Sequence, residues 1–164
     1  PEDCNVYYLP FLYGSNAHPL GKAAFVGLTN FHGTAHMLRA VYEGVAFSHR
    51  RHIEKLLASR QPPEAIRMAG GPVQSKVWVQ LFADVLGFPI ETVDAKELGA
   101  LGCAMAAAIA AGVYKDYKDA ANHMVRINSR VYPNPDRVEI YNKKFQRYMA
   151  VSDALDTVWE KFEV

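Results

Sequence analysis

The segment Met68-Ala69-Gly70-Gly71-Pro72-Val73-Gln74-Ser75 has residue types and spacing that could do ligand chemistry. A strand-like run, Ala65 to Ala69, leads into a glycine pair. Ser75 then stands at an N-cap position before a helix carrying Val77, Trp78, Leu81, Phe82 and Val85 on its inner face. Glycines without side chains let backbone approach a ligand, and a helix N-terminus adds partial positive charge, so the chemistry would be phosphate recognition. The segment is not a P-loop, because no Gly-Lys-Ser/Thr is present, and it lacks the full dinucleotide-binding spacing. On these residues alone, a tight turn is the more common explanation of such a pair than a ligand site.

Other chemistry-bearing residues read as structural. Arg39 and Glu43, four apart on one predicted helix, suit a surface ion pair. Gly44, in mid-helix, suits close packing against another element. His32 with His36, and His49 with His52, have metal-compatible spacing, but no carboxylate completes either pair, so no metal site is expected. Cys103 lies in an apolar helix and reads as an inert buried thiol. Its neighbours Gly99, Ala100, Gly102, Ala104, Ala107 and Ala108 predict a helix pressed tightly against a sheet or neighbour. Asp84 and Asp94 belong to no catalytic pattern. Arg126, Arg130, Arg137, Lys143, Lys144 and Arg147 are interspersed with Asp116, Asp119, Asp136 and Glu139, which predicts a solvated face and no nucleic-acid site.

The elements that must position these residues follow from periodicity. An extended aromatic segment at 5–13 and a short apolar run at 23–28, read as a buried strand, precede a helix over 34–58. That helix carries an apolar stripe of Leu38, Val41, Val45, His49, Ile53 and Leu56. Strands at 65–69 and 88–93 alternate with helices at about 75–86 and 97–111. An irregular connection at 128–138 leads to a last helix over about 140–162. This pattern predicts an α/β layered fold. Half of the 164 residues are hydrophobic and 21% are charged, which excludes wholesale disorder. Eighteen Lys and Arg against seventeen Asp and Glu argue against a dedicated nucleic-acid or anionic-membrane binder. No apolar run is long enough for a membrane span. Two cysteines in unrelated contexts make neither a disulfide framework nor a zinc site, so a cytoplasmic location is expected.

The stretch Ala23, Phe25, Gly27-Leu28, His36-Met37, Ala40-Val41-Tyr42-Glu43 resembles the second signature of the FGGY carbohydrate kinases, the family of glycerol, xylulose and ribulose kinases. Arg39-Ala40-Val41-Tyr42-Glu43-Gly44 is similar to the family's Arg-Ala-x-x-Glu-Gly helix. Gly70-Gly71 through Ser75 to Gln80, with Ala83 to Gly87, resembles its adenosine-binding stretch. Glu97 to Ala104 is similar to its Glu-x-x-Ala-x-Gly-Ala-Ala helix. The resemblance spans roughly residues 5 to 163. It implies a ribonuclease-H-like domain of the actin and sugar-kinase superfamily, with a mixed sheet flanked by helices.

The resemblance also implies roles. Gly71 would approach the phosphates of ATP or ADP, Gly70 and Pro72 would shape the turn, Ser75 would sit at the adenosine end, and Ala23 would stand beside the phosphates. The full enzyme would move the γ-phosphoryl group of Mg2+-bound ATP onto a hydroxyl of a ketose such as xylulose or 3-keto-L-gulonate. A non-catalytic actin-like module that binds nucleotide and works through a partner is the alternative, and a dinucleotide-binding domain a weaker one. The family's Asp-x-Gly-Thr loop, its base Asp and most sugar contacts lie upstream of the matched region, and the chain opens at Pro1 rather than Met. Residues 1–164 are therefore expected to be one C-terminal, nucleotide-binding domain with no catalytic residue of its own. The absent N-terminal domain would bind the sugar. Exposed apolar surface is expected around Asn5 to Leu28, and such a face would suit a homodimer.

Overall fold

A computed structural model describes residues 4–16, 18–94 and 97–162. The chain divides into two compact units: Pro1–Pro62 with Asp84–Gly87 and Pro133–Val164, and Pro63–Ala83 with Phe88–Tyr132.

In the first unit, β1 (Tyr7–Leu9) pairs antiparallel with β2 (Ala24–Val26), with Tyr8 opposite Phe25. With one neighbour each, these strands cover only part of themselves. Tyr7, Tyr8 and Leu9 are buried, but Phe25 is exposed and Ala24 and Val26 are half-buried, so the fully buried strand expected at 23–28 is not found. Of the apolar surface expected at 5–28, Leu12, Tyr13, Phe25 and Leu28 are exposed, while Val6 and Phe11 join the core.

Helix α1 (Thr34–Leu57) begins at Gly33, whose N–H donates to His36 Nδ1 at 3.2 Å, and Thr29 N–H donates to His32 Nδ1 at 2.9 Å. Both imidazoles thus close the turn into the helix. The buried face of α1 is Ala40, Glu43, Gly44, Ala46 and Phe47, and the predicted stripe is rotated off it: Leu38 and Leu56 are exposed. The small residues decide the phase. A Cβ on Gly44 would stand 2.1 Å from the Tyr8 carbonyl oxygen, so glycine lets α1 press onto β1.

Helix α5 (Pro135–Asp156) lies against α1 and supplies Tyr141, Phe145 and Tyr148, which surround Phe47 at ring-centroid distances of 5.2–6.2 Å. Asn134 caps it by accepting from the N–H groups of Asp136 and Arg137, and the buried Asp84 carboxylate accepts from Asn134 N–H at 2.8 Å. The 128–138 connection is therefore more ordered than expected, and α5 starts five residues early. A 3-10 turn, Trp159–Phe162, closes the described chain.

In the second unit, β3 (Ile66–Met68) pairs parallel with β4 (Ile90–Val93) through a crossover that contains α2 (Lys76–Leu86). β5 (Ile127–Val131) completes a mixed three-stranded sheet in the order β3-β4-β5, antiparallel to β4. Helix α3 (Leu98–Ala110) packs against α4 (Tyr117–Met124), an element absent from the sequence reading along with β5. On α2, Val79, Leu81, Phe82 and Val85 are buried, but Val77 is 77% exposed and leaves the predicted inner face. On α3 the tight packing and the buried thiol are both overturned. Only Met105 is buried, Cys103 is exposed, and Cβ atoms on Gly99 or Gly102 would meet nothing within 4 Å. Among the described residues no helix is long and apolar enough to cross a membrane.

Candidate functional site

β3 delivers the chain to Gly70, whose φ of +86° lies in the region L side chains rarely adopt. The glycine pair does not open directly into an α-helix. A one-turn 3-10 segment, Gly71–Gln74, intervenes, with Pro72 in its first turn, where the missing N–H costs no intrahelical bond. Val73 N–H donates to Gly70 O at 3.3 Å, and Ser75 N–H to Pro72 O at 3.2 Å. Helix α2 then starts at Lys76, and Ser75 Oγ accepts from Trp78 N–H at 3.3 Å, the N-cap geometry predicted for it.

The turn is bare. Cβ atoms on Gly70 or Gly71 would meet nothing within 4 Å, both glycines are exposed, and Pro72 and Ser75 are half-buried. Space beside a backbone without side chains is what an approaching anion needs, and no packing demand accounts for Gly71. The structure thus brings together four of the five residues singled out, Gly70, Gly71, Pro72 and Ser75.

Ala23, the fifth, belongs to the first unit, where it enters β2 half-buried. It lines a cavity of about 450 Å3 with Phe11, Leu12, Pro19, Gly21 and Lys22. Lys22 is the only charged side chain of that lining, so the wall beside Ala23 suits an anionic group. No motif pointed to Lys22, because a lone lysine in a loop carries no spacing.

The buried charges of the first unit form a separate arrangement. Glu43, 1% exposed, pairs with Lys144 of α5, accepts from Arg39 Nε at 2.7 Å and from the Tyr141 hydroxyl at 3.3 Å. Lys144 also donates to the Cys4 carbonyl at 2.8 Å. Burial and then the Glu43 carboxylate push Tyr141 up to about 12, so it remains a protonated donor. The surface pair expected for Arg39 and Glu43 is in fact anchored inside. Lys144, expected on a solvated face, is 4% exposed. A carboxylate saturated by three donors and cut off from solvent is not placed to take a substrate proton. Its work is to fasten α1, α5 and the segment before β1. Among the described residues no group of three or more His, Cys, Asp or Glu could hold a metal ion.

Residues 2–111 match the description "FGGY family of carbohydrate kinases, C-terminal domain". The chain belongs to the FGGY family. It is 38% identical over 151 residues to an L-xylulose/3-keto-L-gulonate kinase of Escherichia coli (strain K12), a match covering 92% of this chain and 30% of that protein. Among solved structures, a ligand-bound xylulose kinase from Lactobacillus acidophilus superposes with a TM-score of 0.88 at 30% identity, covering 97% of this chain and 33% of that one. A gluconate kinase from the same organism gives 0.86 at 31%, with the same coverage. The chain therefore spans about a third of the length of the relatives it matches. The mixed α/β architecture is that of FGGY C-terminal domains, the actin-like ATPase fold, as the signature residues implied.

Proposed function

We propose that this chain is the nucleotide-binding, C-terminal domain of an ATP-dependent kinase that phosphorylates a hydroxyl of a ketose. Gly70, Gly71 and Pro72 would form the backbone wall against the phosphates, Ser75 would lie at the adenosine end, and Ala23 would stand beside the phosphates. The observation that carries this reading is the open turn: a Cβ on Gly71 would strike no neighbour, at a position to which the resemblance gives a role beside the nucleotide phosphates. ATP supplies the transferable phosphoryl group, and Mg2+ would arrive with its phosphates. The residues of this chain hold and orient the nucleotide, while an upstream domain would supply the base and the sugar contacts. Pentuloses such as L-xylulose, or 3-keto-L-gulonate, are the substrate class that the 38% relative favours. A gluconate kinase matches this chain about as well as the xylulose kinase does, so the likeness of this domain does not choose between their sugars.

Calorimetric titration of the 164-residue chain with ADP tests the reading. Saturable binding is expected, weakened by Gly71→Val, with no turnover of ATP and any ketose in a coupled ADP-release assay. Robust turnover by this chain would place the catalytic groups within it and sink the division of labour.

A further inference from the structure

Two imidazoles hold the turn that leads into α1. His36 is the third residue of that helix, and its Nδ1 accepts the N–H of the N-cap residue Gly33 at 3.2 Å. A glutamate or glutamine oxygen commonly fills this position, and it remains an acceptor in mild acid. His32 does the same work one step earlier: its Nδ1 accepts from Thr29 N–H at 2.9 Å, with the Thr29 hydroxyl 3.0 Å away. That hydroxyl in turn accepts from Phe31 N–H at 3.4 Å. A ring nitrogen that faces a backbone N–H must present its lone pair, which assigns both rings as neutral Nε2–H tautomers.

Protonation works against this turn in three ways. The Nδ1 lone pair is lost, so that N–H is set against N–H. The two rings stand edge to face with centroids 5.3 Å apart, and two cations at that distance repel. Both would also lie at or just before the N-terminus of α1, where the helix dipole disfavours positive charge and no acidic residue occupies the first turn. Little else holds the segment. Leu28 and Phe31 are exposed, so hydrogen bonds rather than burial close it. On either side the chain is fixed, by the pairing of β2 with β1 and by Ala40 and Glu43 in the core. Among the described residues no carboxylate pairs with either ring. Arg39, one turn along α1, is engaged by Glu43 and Tyr141, and the Cys4 thiol donates to the His36 carbonyl at 3.6 Å.

We propose that the segment from Leu28 to Met37 is a pH-sensitive catch, closed by neutral His32 and His36 and released when they take up protons. The closed turn accommodates only the neutral rings, so closure is lost as pH falls through the histidine range and regained as it rises. Release is confined to this segment, because the rest of α1 is held by Gly44 against β1, by Phe47 among the rings of α5 and by the Glu43–Lys144 pair. Acid thereby loosens the connection between β2 and α1 without unfolding the unit. The catch shares no residue with the glycine-pair turn, so it stands or falls separately from nucleotide binding.

Heteronuclear NMR on the 164-residue chain tests it. At about pH 7.5 both rings should show the Nε2–H tautomer, and the Thr29 and Gly33 amides should be protected from exchange. At about pH 5 their protection factors, taken against the intrinsic rate at each pH, should fall about tenfold while that of Phe47 holds. A double variant, His32→Asn with His36→Gln, keeps an acceptor at each place without a titrating ring, and its protection should not change over that range. Nδ1–H tautomers at the higher pH, or unchanged protection in the parent at the lower, would overturn the proposal. An equal fall in the double variant would assign the change to other groups, Glu2 and Asp3 among them, and overturn it as well. Should the double variant not fold, the ring tautomers and the pH series of the parent still decide.

Discussion

Gly44 and Gly71 are the same residue used for opposite purposes. At Gly44 the space is taken: a Cβ would lie 2.1 Å from the Tyr8 carbonyl oxygen and 3.0 Å from its carbon. Glycine there is a packing requirement of the first unit, whose interior is closed by aromatic rings and a saturated ion pair. At Gly71 the space is empty, and the φ angle does not demand glycine either. Glycine there serves no need of the second unit's own fold. A glycine without a structural reason is a better pointer to a ligand than a glycine in a motif, because the first test removes the commonest explanation.

The largest effect should come from the closed side of this comparison. Lys144→Met removes the buried cation and leaves Glu43 with Arg39 and Tyr141 alone, while the Cys4 carbonyl loses its donor. Stability should fall by about 3–5 kcal/mol, read from urea unfolding. A loss within 0.5 kcal/mol would mean that Arg39 and Tyr141 satisfy the carboxylate without Lys144 and that the pair does not fasten the unit.

Gly44→Ala comes next. The obstacle is backbone rather than the end of a flexible side chain, so β1 or α1 must shift, at a cost of about 2–3 kcal/mol. Roughly 1 kcal/mol is returned by the better helix propensity of alanine. A neutral or stabilising substitution would show that β1 yields easily, and the contrast with Gly71 would lose its closed half.

Gly71→Val should do the reverse. Its melting temperature should stay within about 2 °C of the parent, since nothing is struck and no positive φ is forced. Its affinity for ADP should drop about tenfold, because the branched side chain occupies the space beside the phosphates. Unchanged affinity in a well-folded variant would move the nucleotide elsewhere.

The elements differ in how readable they were, and for physical reasons. α1 and α2 have the length and apolar period that identify helices, and their boundaries agree with the sequence reading to within a residue or so at most ends. The phase of α1 was not readable, because its buried face contains Glu43 and Gly44, which a hydrophobic stripe excludes. Glu43 becomes a core residue only through Lys144, 101 positions away. β5 was hidden for a different reason. Ile127 to Arg130 are all exposed, so the strand lacks the alternation that marks a half-buried one and is defined by its pairing with β4. α3 misled in the other direction: composition gave an apolar helix but not which side is covered. At the candidate site the glycine pair and the Ser75 cap were legible as local chemistry. The intervening 3-10 turn and the Lys22 side of the Ala23 cavity needed coordinates.

Ser75→Ala has the smallest expected effect and separates the two readings of the site most finely. Ser75 Oγ accepts from Trp78 N–H at 3.3 Å, so its loss should cost about 1 kcal/mol of stability whatever the turn binds. If its hydroxyl is only a cap, ADP affinity should follow nothing but the small population that unfolds, and Ser75→Asp, which can cap equally well, should restore both stability and binding. If the hydroxyl also faces the adenosine end, Ser75→Ala should weaken ADP by a further two- to fivefold. Ser75→Asp would then regain the melting temperature without regaining affinity, because a carboxylate near a phosphorylated ligand repels it. The pair of variants, each measured by thermal melt and by ADP titration, assigns Ser75 to the wall of the site or to the helix alone.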